Sequence, residues 1–180
     1  MLSRSQWATT LRVLAALVLV AGISGAGPMK PSPRAPEDPP MQLTTYLLFD
    51  GRCQEAMTFY QSVLGGELTM TTVGDSPMKA AFPPAMHGRI VSARLKSATV
   101  DISASDWLRP GVTPVHGNMV MLYLNGGTPA ATRMAFTKLA EGADVTDPLT
   151  EQPFGLYGAL NDKFGNRWMF HADPEARGGE

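Results

Sequence analysis

Cysteine is almost missing from this chain. A single Cys53 excludes an internal disulfide and a cysteine-rich metal site. It stands where a helix should begin and reads as a small, half-buried residue; the alternative is a thiol activated by the helix N-terminus. Histidine is nearly as scarce. His87, His116 and His171 match no local metal motif in their spacing. The first lies in a proline-rich loop, the second just before a strand and the third at the far end of the last strand, so each reads first as a surface or edge residue. Charge is sparse too: 17% of residues are charged and the net charge is −1, which leaves no basic footprint for nucleic acid. There is no glycine-rich phosphate loop, no Gly-x-Ser-x-Gly elbow and no Cys/His pair with a nucleophile signature.

What is present is a globular composition, 44% hydrophobic over 180 residues, enough for one ordinary domain or two small modules. The N-terminus has the order of a secretory signal. Arg4 and Arg12 are positive, Val13 to Ile23 is apolar but too short to span a bilayer comfortably, and Ser24-Gly25-Ala26 offers small residues for cleavage after Ala26. No cysteine follows to carry a lipid, and there is no twin-arginine pair. Residues 1–26 are therefore expected to be a cleaved signal peptide, which places the protein in a secreted or periplasmic compartment with no stable membrane span. The alternatives are an uncleaved anchor, or a cytoplasmic protein whose translation begins at Met41. Residues 27–40 hold the run PMKPSPRAPEDPP, a linker in which proline forbids helix and ladder. The folded part is expected over 41–173, with a tail at 174–180. From Met41 onward the count is eleven Lys and Arg against fourteen Asp and Glu, after four and two upstream are subtracted from 15 and 16, a mildly acidic balance.

Hydrophobic periodicity predicts a strand over 43–49, a helix over 53–64 stopped by Gly65-Gly66, and strands over 67–73, 89–95 and 99–103. Gly74 to Gly88 is a long loop of the kind that often forms a lid or binding loop. A connector with Pro110, Gly111 and Pro114 leads to a second series: a strand over 118–124, a helix over 130–139 with Thr128 as N-cap and Pro129 in its first turn, and a short strand near Val145. The series closes on Pro153 to His171, PFGLYGALNDKFGNRWMFH, which reads as strand, tight turn and strand. In its last strand Trp168 and Phe170 share a face that packs on a helix, and Arg167, Met169 and His171 share the other. The two halves, about 41–107 and 117–173, repeat an order of elements with negligible sequence identity. The fold class is α+β, built of paired βαβββ modules.

Three stretches carry a resemblance: YLLFDGRCQEAMTFYQSVLGGEL at Tyr46 to Leu68, TVDISASD at Thr99 to Asp106, and FGLYGALNDKFGNRWMF at Phe154 to Phe170. They resemble the glyoxalase/bleomycin resistance/dioxygenase (vicinal oxygen chelate, VOC) superfamily and its PhnB-like branch. That branch is often labelled "3-demethylubiquinone methyltransferase-like", a label that no nucleotide-binding βα turn supports here. The resemblance implies that each module curls its sheet around a cavity, that relatives often form homodimers, and that metal-dependent members hold a divalent ion with four His or Glu ligands from four strands. Such an ion polarises two substrate oxygens. At the corresponding positions this chain offers Thr44 or Thr45, Asp101 (or, in another register, Ile102 or Ser103), Asn118 or Met119, and Met169. One carboxylate with hydroxyls and a thioether is not a set for a hard or borderline dication, so no metal cofactor is expected.

The residues expected to line a ligand cavity are Thr45, Asp101, Met119, Met121, Phe154, Tyr157, Arg167, Met169 and His171. Asp101 and His171 are the candidates for proton transfer or for holding a polar group, with Arg167 a partner for Asp101 or for an anion. Core packing is the plainer reading of Met119, Met121 and Phe154. Three functions follow: binding of a small, partly apolar molecule without metal; a lyase, isomerase or dioxygenase-like enzyme with an altered site; or a non-catalytic scaffold for dimerisation.

Overall fold

The computed structural model describes residues 41–112 and 114–174. The expected signal peptide, the proline-rich linker and the tail after Pro174 lie outside the described residues.

The first module runs β1 (Thr45–Phe49), α1 (Cys53–Leu64), β2 (Glu67–Thr72), β3 (Ile90–Lys96) and β4 (Asp101–Asp106). The helix forms because Cys53, Ala56, Met57 and Tyr60 recur on one face and bury it completely. It stops where Gly65, at φ 68°, turns its N–H back to the Gln61 carbonyl at 2.8 Å. Its first turn is capped from a distance: Asp106 Oδ1 accepts from Cys53 N at 3.0 Å, while Oδ2 accepts from Ile90 N at 2.8 Å. One buried carboxylate at the end of β4 thus fixes both the helix and the start of β3.

The second module runs β5 (Leu122–Asn125), α2 (Pro129–Leu139), β6 (Asp144–Gln152), β7 (Gly155–Asn161) and β8 (Arg167–Ala172). Thr128 caps α2 as its sequence predicts, its hydroxyl accepting from Ala131 N at 3.2 Å. The two sheets have the same order, β1-β4-β3-β2 and β5-β8-β7-β6, with the first strand parallel to the fourth in each. The paired βαβββ architecture is therefore present, and β1 and β5 each end a sheet with one open edge.

Some boundaries differ from the sequence reading. The strand expected over 118–124 begins only at Leu122, because its partner β8 begins at Arg167 and no ladder exists upstream. β6 is nine residues long, with two shifts of register, where a short strand was expected near Val145. It ends its sheet, so Pro148 costs no inner ladder bond. The 74–88 loop contains two short 3-10 turns, at Lys79–Ala81 and Pro84–Met86.

The buried core draws on both modules. Phe49, Met57, Tyr60 and Leu95 join Leu160, Phe164, Trp168 and Phe170 in one cluster. Tyr60 of α1 meets Trp168 edge-on at 5.4 Å and Phe164 at 5.9 Å. At the centre is Asp162 in the β7–β8 turn, 4% exposed. It accepts from Tyr60 Oη at 2.5 Å and Trp168 Nε1 at 2.8 Å, and from the backbone N–H groups of Phe164 and Asn166, each at 2.9 Å. Burial and this neighbouring carboxylate push the Tyr60 hydroxyl far above its usual range.

Candidate functional site

Strand register decides which side chains leave the core. In the first sheet, Leu47 and Phe49 turn toward the core, as do Ile102 and Ala104. Thr45 shares their parity, so Tyr46 and Leu48 occupy the opposite face, paired with Ser103 and Ser105. Asp101 and Arg94 also stand on this open face. In the second sheet Trp168, Phe170 and Ala172 are buried. The other face carries Arg167, Met169 and His171 of β8, with Tyr123 opposite Met169 and Tyr157 opposite His171.

Asp101 does not pair with Arg167. Arg94, on the adjacent strand, takes it in a bidentate grip: Nε donates to Oδ1 at 2.8 Å and Nη2 to Oδ2 at 2.6 Å. The guanidinium holds the Asp101 carboxyl below the usual range for an aspartate. Arg167 instead donates from Nη1 to the Asn118 carbonyl at 3.1 Å, which ties β8 to the connector between the modules. The expected coupling of Asp101 and Arg167 is thus replaced by two separate contacts, one on each sheet.

His171 is held by its neighbours. Its Nε2 lies 3.1 Å from the Phe154 carbonyl, and its ring stacks on Phe154 at 6.1 Å. Phe154 in turn meets Tyr157 edge-on at 6.1 Å. Phe154, Tyr157, Met169 and His171 therefore belong to one surface, while Asp101 belongs to another. His87 Nε2 lies 3.1 Å from the Phe82 carbonyl inside the proline-rich loop. Cys53 is fully buried, and burial, aided by Asp106, pushes its thiol up to about 12, which leaves the activated-thiol alternative without a physical basis.

On the open faces of the four strands that supply a divalent ion's ligands in metal-dependent relatives, Tyr46, Ser103, Tyr123 and Met169 stand mid-strand, with Asp101, paired with Arg94, and His171, held by Phe154, nearer the ends. Two phenols, a hydroxyl and a thioether do not fit such an ion. Among the described residues no three His, Cys, Asp or Glu side chains come together. The register also places the candidate positions on their strands. Thr45 has core parity and Thr44 precedes β1, so Tyr46 is the first open-face residue of that strand; Asn118 and Met119 precede β5, where Tyr123 stands opposite Met169.

A cavity of about 760 Å³ opens between the free edge of β1, the connector and the β7–β8 turn. Thr45, Met119, Met121 and Arg167 line it, so four of the nine expected residues meet there. Trp107, Val115 and His116 are also in its walls. The His116 ring lies flat on Gly165, where any Cβ would come within 3.0 Å of it. The Trp107 indole N–H has no hydrogen-bond partner among the described residues and is shielded from solvent. Sequence reasoning missed Trp107, Tyr46 and Tyr123, since only register and the path of the connector reveal them. It also missed Asp162, read there as turn chemistry alone.

A family profile described as the Glyoxalase/Bleomycin resistance protein/Dioxygenase superfamily matches residues 42–170. Protein YjdN of Escherichia coli (strain K12) is 29% identical over 141 residues, covering 73% of this chain and 95% of its own length. Protein PA1353 from Pseudomonas aeruginosa is a structural neighbour with 32% identity and a TM-score of 0.67, covering 74% of this chain and 98% of its own. The PhnB protein from Bacillus cereus follows the same fold at 26% identity and a TM-score of 0.59, with coverage of 73% and 99%.

Proposed function

Because this chain belongs to the glyoxalase/bleomycin resistance protein/dioxygenase superfamily, we propose that it uses that fold to bind a small, partly apolar molecule without the divalent ion of its metal-dependent relatives. The cavity at the free edge of β1 carries this reading. Its size suits a drug-sized ligand, and half of its lining residues are Leu, Val, Met or Trp. The donor set on the four strands supports binding over metal-assisted lyase, isomerase or dioxygenase chemistry. Neither Asp101, neutralised by Arg94, nor His171, engaged by Phe154, faces this cavity as a free acid or base. The test is native mass spectrometry and metal analysis of the purified full chain. A bound organic molecule, or saturable uptake of an apolar probe with less than a tenth of an equivalent of metal, supports the reading. Stoichiometric Ni, Zn, Fe or Mn would overturn it.

A specific observation also favours dimerisation. Tyr46 is 57% exposed on the open face of the first sheet, and Tyr123 and Phe154 are 48% and 58% exposed on that of the second. Aromatic residues on two open faces suit a second copy of this chain. In that arrangement the faces cover one another and the scaffold and binding roles coexist. Sedimentation at several concentrations decides between a dimer and a monomer.

Export through residues 1–26 is part of the same proposal, with a cytoplasmic protein begun at Met41 as the alternative. Among the described residues no helix is long and apolar enough to cross a membrane. The intact mass of the recovered protein, beginning at Gly27 or at Met41, distinguishes the two.

A further inference from the structure

The chemistry of the cavity wall narrows the ligand further, and this step rests on the binding reading above. The residues lining the β1-edge cavity include no Asp and no Glu, and one fixed cation, Arg167. That guanidinium spends one N–H on the Asn118 carbonyl, and no carboxylate pairs with it among the described residues. The Trp107 side chain also lines the cavity, and its buried indole N–H has no hydrogen-bond partner among the described residues. Arg109, whose guanidinium carbon stands 5.6 Å from the Trp107 ring centre, adds positive potential beside that donor. Leu47, Leu48, Val115, Met119 and Met121 give an apolar stretch of the wall, and its remaining polar groups, His116 among them, include no carboxylate.

We propose that this cavity selects an amphiphile with one anionic head group, of the class of medium-chain or aryl carboxylates. The head is neutralised at Arg167, and the apolar body lies along the connector beside the Trp107 ring. Cations are rejected because nothing in the wall neutralises them and Arg167 repels them. Neutral amphiphiles bind through the wall alone.

Three probes of equal chain length separate the ligand class from the binding reading itself: decanoate, decanol and decyltrimethylammonium, titrated calorimetrically into the full chain below their micellar concentrations. Decanoate is expected to bind at least tenfold more tightly than decyltrimethylammonium, with decanol between them. Arg167→Gln is expected to lower decanoate affinity about tenfold and leave decanol unchanged, while Arg167→Lys keeps the preference. Val115, 93% exposed on the wall, allows a variant with little risk to folding: Val115→Asp is expected to weaken decanoate and strengthen the cation. Equal affinities for the three probes would overturn the anion preference and leave the binding reading standing. A preference for the cation would do the same. No binding of any probe up to millimolar concentration would overturn both, as would a second copy found filling the cavity in the dimer.

Discussion

Removing one hydroxyl tests how the two modules are joined. Tyr60 rises from α1 of the first module and ends on Asp162 of the second, and its oxygen also accepts from Asn166 Nδ2 at 2.8 Å. Tyr60→Phe keeps the ring, so its edge contacts with Phe164 and Trp168 survive. What is lost is a hydrogen bond to a buried carboxylate, about 1.5–3 kcal/mol, and a neutral one of about 0.5–1.5 kcal/mol. Asn166 is half-buried and recovers part of its share from water. Asp162 keeps three donors, from Trp168, Phe164 and Asn166, so the carboxylate is weakened without being orphaned. The net expectation is a loss of about 2–4 kcal/mol. For a domain of this size that lowers Tm by roughly 3–5 °C per kcal/mol. Chemical denaturation followed by far-UV circular dichroism and by tryptophan emission measures it, because Trp168 shares the same carboxylate. A loss below about 0.5 kcal/mol, or unchanged midpoints in both signals, would refute the view that this network holds the modules together.

Three further outcomes follow from named contacts. The Arg94 guanidinium lowers the Asp101 carboxyl, so the stabilisation of the pair is present above the unfolded aspartate range and fades as pH falls through the lowered folded value. A carboxyl-detected NMR titration should place the Asp101 midpoint below that of an ordinary aspartate, and Arg94→Gln should raise it; an unchanged midpoint contradicts the pairing. At Gly158, under α2, an added Cβ would stand 2.9 Å from Leu149 Cα and 3.1 Å from Phe136 Cε2. Gly158→Ala should therefore cost about 1–3 kcal/mol by overpacking, read as a lower denaturation midpoint. Cys53, with its thiol pushed up to about 12 and no exposure, should resist a disulfide reagent at pH 8 until the protein unfolds; fast labelling of the native protein would contradict its burial.

Much of the fold was legible because periodicity and punctuation are local. The run of apolar residues from Cys53 to Leu64 and the glycine pair after it define α1, and the alternation of Arg167 to His171 assigns each side chain to the correct face of β8. The site was less legible because it depends on register and on partners distant in sequence. A one-residue shift in β1 exchanges Thr45 for Tyr46 on the open face. The partner of Asp101 is Arg94, seven residues away across a strand pair, and no pattern in the sequence prefers it to Arg167. The start of β5 depends on where β8 begins, forty-odd residues later, which is why Met119 lies in the connector. Asp106 and Asp162 sit at strand ends and turns, where an aspartate ordinarily faces water; only the folded chain reveals that each is buried and accepts bonds from separate elements.

The central claim is that a small, partly apolar molecule occupies the cavity at the β1 edge, and the Trp107 indole N–H reports on it directly. A ¹⁵N-labelled sample titrated with decanoate should show the indole resonance of Trp107, which lines the cavity, moving and saturating. The Trp168 indole, bound to Asp162 in the core, should stay in place. A Trp107 resonance that does not move while the ligand binds would put the ligand elsewhere and contradict the account.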